Sequence, residues 1–278
     1  MNKQAENLIR LSKKKKFYCK VLSVSSGKGG VGKTNFSVNF AYALTNLFSK
    51  KVLLIDADIG LGNVHLLINA NPSKTMRNIL QGQRIESIIQ RCHNFDVLLG
   101  FSGINDLNEI DEINVPHIIN QLSRISYRYD YIIIDTSAGL DSKVLNFLRN
   151  SDISYIITTP EPTSLTDAYA LIKTLKNIYG YSKFRIIVNM YKSKSEALST
   201  FEKLEYACAK FINLKISLAG IIPYSRKLKD AVKQRDLMLK VDMHSPFSEA
   251  VTKIARKELG TSPSAEKNNF WKKLFGVG

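Results

Sequence analysis

Cysteine is scarce in this chain: Cys19, Cys92 and Cys208 are the only three in 278 residues. An odd number at wide spacing excludes a disulfide framework, and the lack of any CxxC pair excludes the usual zinc and thiol-redox patterns. Reduced thiols are the expectation, and with them a cytoplasmic setting. Long apolar runs are missing too. None approaches the roughly 18 residues of a membrane-spanning helix, and the polar, lysine-rich start has no apolar core of a secretory leader. Acidic residues are in deficit, with 24 Asp and Glu against 40 Lys and Arg and a formal net charge of +16. Such an excess suits an anionic partner, either nucleic acid or inner-leaflet lipid, without choosing between them. Part of it is local: residues 13–16 are all lysine, and Lys272 and Lys273 stand near the end. No internal repeat is evident. A hydrophobic fraction of 44% supports a packed core, and the length fits one large α/β domain or two small ones.

Strand-like and helix-like segments alternate along the chain. The expected strands are 21–25, 52–56, 95–99, 131–135, 154–159, 185–189 and 218–222. Most are continuous apolar runs, as strands buried on both faces of a parallel sheet read. Helical patterns fall between them, at 113–127, 165–179 and 196–212. The alternation implies right-handed crossovers and a three-layer α/β/α fold around a mostly parallel twisted sheet. The polar stretch 261–269 reads as a linker.

Residues 27–34 read GKGGVGKT. The octet fits the phosphate-loop pattern G-x-x-x-x-G-K-[ST], with Gly27, Gly32, Lys33 and Thr34 in place. Glycines let successive backbone N–H groups of Gly29, Gly30, Val31 and Gly32 turn toward phosphate oxygens. The helix that begins at Lys33, Thr34 and Asn35 offers its positive end to the same anion. Lys33 is placed for the β/γ-phosphates, and Thr34 for Mg²⁺. A second lysine, Lys28, is one more than an ordinary phosphate loop needs. The chain here resembles the MinD/ParA ATPases, whose deviant loop carries that extra lysine. The resemblance covers roughly residues 21–259. It implies ATP and Mg²⁺ as cofactors, hydrolysis of ATP, an ATP-dependent homodimer, and a Lys28 that crosses to the partner's phosphates.

Three carboxylates extend the pattern. Asp135 ends the run YIIID, where phosphate-loop NTPases hold Mg²⁺ through an aspartate. A helix N-cap is the plainer use of an aspartate there. Residues 136–139 (TSAG) resemble the family's second switch, and 56–63 (DADIGLGN) its first. By that resemblance Asp56 helps place Mg²⁺ and Asp58 orients the attacking water, while Gly60 and Gly62 let the segment move. An Asx-type turn is the plainer alternative for this segment. Asn189 resembles the family's adenine-contacting asparagine, and Pro223 the start of its second base loop. No NKxD string selects guanine.

The two ends discriminate within the family. Residues 269–276 read NFWKKLFG. On a helix, Phe270, Trp271, Leu274 and Phe275 share one face, with Lys272 and Lys273 on the other. Aromatics with interleaved lysines suit an anionic bilayer surface, and the segment resembles the membrane-targeting tail of the MinD branch. A tail docked on the protein's own surface is the alternative. At the other end Gln4, Ala5, Leu8 and Arg10 partly match the DQAxxLR motif of the FlhG (YlxH) regulators of flagellar number and placement, with Lys3 where aspartate is usual. That resemblance implies stimulation of an FlhF-type GTPase, contact with flagellar basal-body components, and residence on the inner face of the cell membrane in the ATP state. The expected division is 1–19 (partner segment), 20–260 (ATPase domain) and 261–278 (linker and amphipathic tail). A division-site MinD and a DNA-segregating ParA remain open as alternatives. The aromatic tail favours lipid, so no specific nucleic acid is expected; a metallocluster carrier would need the missing CxxC.

Overall fold

Each of the continuous apolar runs is a strand of one sheet. The computed structural model describes residues 19–58, 64–71, 74–80, 82–100, 115–260 and 270–274, with backbone only at 77, 80, 115–119 and 272. The strands are β1 Lys20–Ser25, β2 Val52–Ala57, β3 Gln90–Cys92, β4 Phe95–Leu98, β5 Tyr131–Thr136, β6 Ile153–Thr158, β7 Phe184–Tyr191 and β8 Ser217–Pro223. They lie in the order β3-β4-β2-β5-β1-β6-β7-β8. All neighbours pair in parallel except the β3–β4 hairpin. β3 was not expected. Its residues Gln-Arg-Cys carry no apolar pattern, and the turn that makes it is set by left-handed backbone at His93 and Asn94, with φ of 47° and 71°.

Helices fill the crossovers: α1 Lys33–Tyr42, α2 Val64–Ile68, α3 Arg77–Leu80, α4 Ile85–Ile88, α5 Val115–Ser126, α6 Ser142–Asn150, α7 Pro162–Tyr179, α8 Lys194–Ile212, α9 Arg226–Lys233, α10 Met238–Val241, α11 Pro246–Leu259 and α12 Phe270–Leu274. A π-helical turn, Ala43–Leu47, extends α1. Successive strand residues point to opposite faces. Leu22, Val24, Leu54 and Ile133 face α1 and α11, where Phe36, Phe40, Phe247 and Ile254 pack. Val21, Leu53, Ile55, Ile132 and Ile134 face the other layer, with Leu122 of α5 and Phe147 of α6. The expected three layers are therefore present.

A buried ionic knot ties α11 to the sheet. The Glu258 carboxylate, fully buried, takes the Lys20 ammonium at 2.6 Å and also meets the Arg185 guanidinium and the Tyr155 hydroxyl. A lone carboxylate at that depth would be strongly unfavourable; charges from β1 and β7 offset it.

The short α12 lies against α5 and α6. Phe270, Trp271 and Leu274 join the cluster of Leu122, Ile125 and Phe147, and Trp271 is only 3% exposed. The Trp271 Nε1–H donates to Ser126 Oγ at 2.7 Å, and the Asn146 side-chain amide donates to the Leu274 carbonyl at 2.7 Å. The apolar face expected for lipid is thus turned into the protein, while Lys273 stays exposed. The side chain of Lys272, all of Phe275, the linker 261–269, the segment holding Gln4, Ala5, Leu8 and Arg10, and the switch glycines Gly60 and Gly62 lie outside the described residues.

Candidate functional site

The phosphate loop leaves the carboxyl end of β1 and enters α1. Ligands of open α/β sheets sit at these strand ends, where the connections part to opposite sides. Two of its glycines have evident physical reasons. A Cβ at Gly27 would fall 2.2 Å from the Asp167 backbone, so α7 can approach the loop only over glycine. Gly32 has φ of 90°, a left-handed conformation that L side chains rarely adopt. Gly32 also N-caps α1, with no side-chain acceptor on the first N–H groups. A helix start without such a partner, with its positive end in a cleft, is an anion site.

The register between β2 and β5 sets Asp56 opposite Asp135. Both carboxylates are buried, Asp56 at 2% exposure. Burial, reinforced by Asp135, pushes the Asp56 carboxyl up to about 7. Burial also pushes Asp135 up to about 6, against the Thr34 and Ser37 hydroxyls and the Lys33 charge. Ser37 Oγ donates to Asp135 Oδ1 at 2.8 Å, while Asp135 Oδ2 is buried with no hydrogen-bond partner among the described residues. An orphaned carboxylate oxygen beside a second buried carboxylate fits a divalent cation. Among the described residues no group of three or more His, Cys, Asp or Glu forms a metal cage. That suits Mg²⁺, which takes one or two carboxylates and completes its shell with phosphate and water. Lys33 is buried in the same place, and burial lowers its pKa against the pull of Asp135 and Asp58. The Asp58 N–H donates to Asp56 Oδ1 at 3.1 Å.

Lys28 points elsewhere. Its ammonium is held by Glu161 Oε2 at 2.8 Å and by Thr163 Oγ1 at 2.9 Å, both at the start of α7. The pair is on the surface, with the Lys28 side chain 39% exposed, and exposed pairs of this kind contribute little to stability. Lys28 is therefore restrained within its own chain yet easily released.

A cleft of about 820 Å³ joins these groups. Gly29, Gly30, Gly32, Lys33, Thr34 and Asn35 line one end, with Asp58, and Asn189, Met190, Pro223 and Tyr224 line the other. Beyond them α9 brings Lys229 and Lys233 to the rim, and Arg235 follows just past its end. Asn189 reaches the site, but its side chain faces the loop: Nδ2 donates to the Val31 carbonyl at 2.7 Å, and Oδ1 accepts from the Met190 N–H at 2.9 Å. Gly139, in the expected second switch, donates its N–H to the Ser26 carbonyl at 2.9 Å.

Sequence reasoning missed Glu161, Thr163 and Ser37. Ser37 stands four residues after Lys33 on α1, one turn along the face that meets β5, so helical spacing pointed to it. For Glu161 no local signal exists, since 133 positions separate it from Lys28. The basic wall of α9 was legible in RKLKDAVK, where one residue, Ala231, is buried.

A phosphate loop at the head of a parallel sheet, with two buried carboxylates across from it, defines a nucleotide-hydrolysing protein of the phosphate-loop class. The comparisons with known proteins narrow this. A family model described as an AAA domain matches residues 19–188. "Antiactivator FleN" of Pseudomonas aeruginosa is 35% identical over 247 residues, covering 85% of both chains. "Flagellum site-determining protein YlxH" of Helicobacter pylori is 33% identical over 266 residues, covering 92% of this chain and 90% of that one. Among solved structures, the MinC:MinD cell division protein complex of Aquifex aeolicus superposes with a TM-score of 0.68 at 28% identity, covering 90% of this chain and 99% of the other. The chain belongs to the MinD/ParA ATPases, in the FlhG-type group of FleN and YlxH. It is an ATPase whose cofactors are ATP and Mg²⁺.

Proposed function

We propose that this chain is a nucleotide-driven switch that sets the number and placement of flagella, cycling between a monomer and an ATP-bound dimer on the membrane. Gly27 to Gly32 and the start of α1 cradle the phosphates, and Lys33 takes the β/γ end. The Thr34 hydroxyl, Asp56 and Asp135 hold the metal. When bound, Mg²⁺ neutralises charge on the transferring phosphoryl group. Asp58 orients a water for in-line attack on the γ-phosphorus, with ADP as leaving group. Lys28 exchanges its weak hold on Glu161 and Thr163 for the phosphates of a second copy, a more highly charged partner, and so makes hydrolysis depend on the dimer. The base end falls to the Asn189, Met190 and Pro223 side of the cleft.

The same reading assigns 1–19, with Gln4, Ala5, Leu8 and Arg10, to stimulation of an FlhF-type GTPase, 20–260 to the ATPase, and 261–278 to membrane attachment. The observation that carries the switch is the docked tail. Phe270, Trp271 and Leu274 are the groups that would enter lipid, with Phe275, Lys272 and Lys273 beside them, and the same apolar face is covered by α5 and α6. Protein cleft and bilayer therefore compete for one surface. Two released tails on a dimer bind by avidity where one binds weakly. Among the described residues no helix is long and apolar enough to cross a membrane.

Co-sedimentation with anionic liposomes tests this. Binding should need ATP, persist in the hydrolysis-slow Asp58→Ala variant, and vanish on truncation after Asn269. Equal binding with ADP and ATP would refute the switch. Binding retained by the truncated chain would move the membrane contact elsewhere, and retention on DNA instead would favour a ParA-like role.

A further inference from the structure

We propose that the groove between α5 and α6 has a second occupant, the chain's own N-terminal segment: when α12 leaves for lipid, residues 5–12 take its place. The proposal rests on the tail switch above. Release gives Phe270, Trp271 and Leu274 a new cover in the bilayer, but it uncovers the walls that held them. With the tail in place Leu122 and Ile125 are fully buried and Phe147 nearly so. Opening an apolar cleft to water is unfavourable, and apolar patches left open are sites of association.

The N-terminal segment enters the fold at this cleft. β1 runs beneath α6, where Ser23 Oγ donates to the Phe147 carbonyl at 3.4 Å. Cys19, at the foot of β1, belongs to the apolar cluster that holds Phe270 and Trp271. Residues 1–18 lead into it. The ten residues between Leu8 and Cys19 span up to roughly 35 Å when extended. A helix layer is only about 10 Å thick, so Leu8 can turn back onto either wall.

Pattern and charge both suit the seat. On a helix Ala5, Leu8, Ile9 and Ser12 share one face, with Lys3 and Arg10 opposite. Leu8 and Ile9 repeat the adjacent apolar pair that Phe270 and Trp271 make in the tail. Between this face and Cys19 lie the four lysines of 13–16. Asp130 follows α5 and Asp152 follows α6, each fixed by a backbone N–H, from Lys51 and Val21 respectively, at 2.8 Å. Burial first, and then the charges of Asp152 and Asp130, push the Cys19 thiol up. The lysine run therefore ends three residues from two carboxylates at the foot of both walls, and opposite charge there draws the segment toward the cleft. The same segment carries Gln4, Ala5, Leu8 and Arg10. A partner that grips Leu8 and a groove that buries it exclude each other, so by reciprocity partner binding favours the tail's return from lipid.

Hydrogen-exchange mass spectrometry on the full chain tests the assignment, in the wild type and in Leu8→Ser/Ile9→Ser, which removes apolar surface without adding charge. Each is measured with MgADP alone and with MgATP and vesicles of phosphatidylglycerol and phosphatidylethanolamine. On vesicles, exchange of wild-type residues 5–12 should slow by about tenfold or more, with α5 and α6 as protected as in MgADP. In the variant residues 5–12 should exchange freely on vesicles, and α5 and α6 should lose protection there. Its MgADP protection and nucleotide-free melting temperature should match the wild type, which separates an uncovered groove from misfolding. If residues 5–12 are protected on vesicles while α5 and α6 are indifferent to the substitution, the segment lies on lipid and the proposal is overturned. It is also overturned if residues 5–12 exchange freely in the wild type while α5 and α6 stay protected, since lipid or a second copy then covers the groove. Trp271 emission separates the two readings. Emission unchanged by ATP and vesicles refutes release of the tail itself; emission that shifts while residues 5–12 stay unprotected refutes only the present proposal.

Discussion

Trp271 is the chain's single tryptophan, so its emission reports where α12 is. Full burial of Phe270, Trp271 and Leu274 contributes about 1.5–3 kcal/mol each, roughly 5–9 in all. Fixing five backbone residues opposes it by about 5–10 kcal/mol. These nearly cancel. The bonds from Trp271 to Ser126 and from Asn146 to the Leu274 carbonyl, each worth about 1 kcal/mol, then decide the balance, and the docked state leads by a narrow margin. Ser126→Ala removes the acceptor for the indole N–H. A loss of about 1 kcal/mol multiplies the undocked fraction roughly fivefold. The variant should show red-shifted emission, stronger acrylamide quenching, and liposome binding without ATP. With anionic vesicles the emission should turn blue again as the indole enters lipid. The reasoning fails if Trp271 in the nucleotide-free wild type is quenched as readily as in a free peptide of residues 261–278, or if Ser126→Ala alters neither quenching nor basal vesicle binding.

Three further outcomes follow from the site and the core. Asp56 and Asp135 have folded-state values of about 7 and about 6, raised from 3.8 by burial. Their contribution to stability is fully present below the unfolded value and is lost as pH rises through 6 to 7. The metal-free chain should therefore melt at lower temperature at pH 8 than at pH 5.5, while Mg²⁺ binding releases protons and tightens with pH; a flat melting profile in EDTA would count against this. Glu258→Gln leaves the buried Lys20 and the half-buried Arg185 beside a neutral group, and denaturant unfolding should show a loss on the order of 3–5 kcal/mol. An effect below 1 kcal/mol would mean the knot adds little. Lys33→Ala should abolish nucleotide binding, whereas Lys28→Ala should bind ATP as a monomer and fail to form the hydrolytic dimer in sedimentation velocity. Equal loss of ATP binding in both would remove the cross-subunit role.

Much of the sheet was legible because parallel strands buried on both faces leave unbroken apolar runs such as YIIID, and all of those runs are strands. β3 was not, since its short polar stretch owes its conformation to a left-handed turn and to its neighbour β4 rather than to its own residues. The loop, Lys33, Thr34 and the three aspartates were legible because the motif fixes spacing and the topology fixes register. The fate of Lys28 was not. Its partner Glu161 arrives only when β6 lies beside β1. The tail shows the limit of pattern most clearly: Phe270, Trp271 and Leu274 form the same apolar face for a bilayer or for Leu122 and Ile125. Only the observed cleft between α5 and α6 tells which surface covers them here. Asn189 was placed at the site by its strand, but the direction of its amide depends on the register shift that follows it in the β7–β8 ladder, which no local sequence marks.

The polar brevity of β3 carries a consequence for the assembled molecule. An open sheet invites strand addition at its rims, the route to runaway fibres. At one rim β3 offers three residues, with Arg91 paired to Asp96 across the hairpin. At the other, the β7–β8 ladder is interrupted by two register shifts, β8 ends in Pro223, and its Leu218 carbonyl is occupied by the Lys257 amine at 2.6 Å. Strand addition between copies is thereby disfavoured at both rims, and the reversible dimer proposed above would form elsewhere, across the nucleotide cleft.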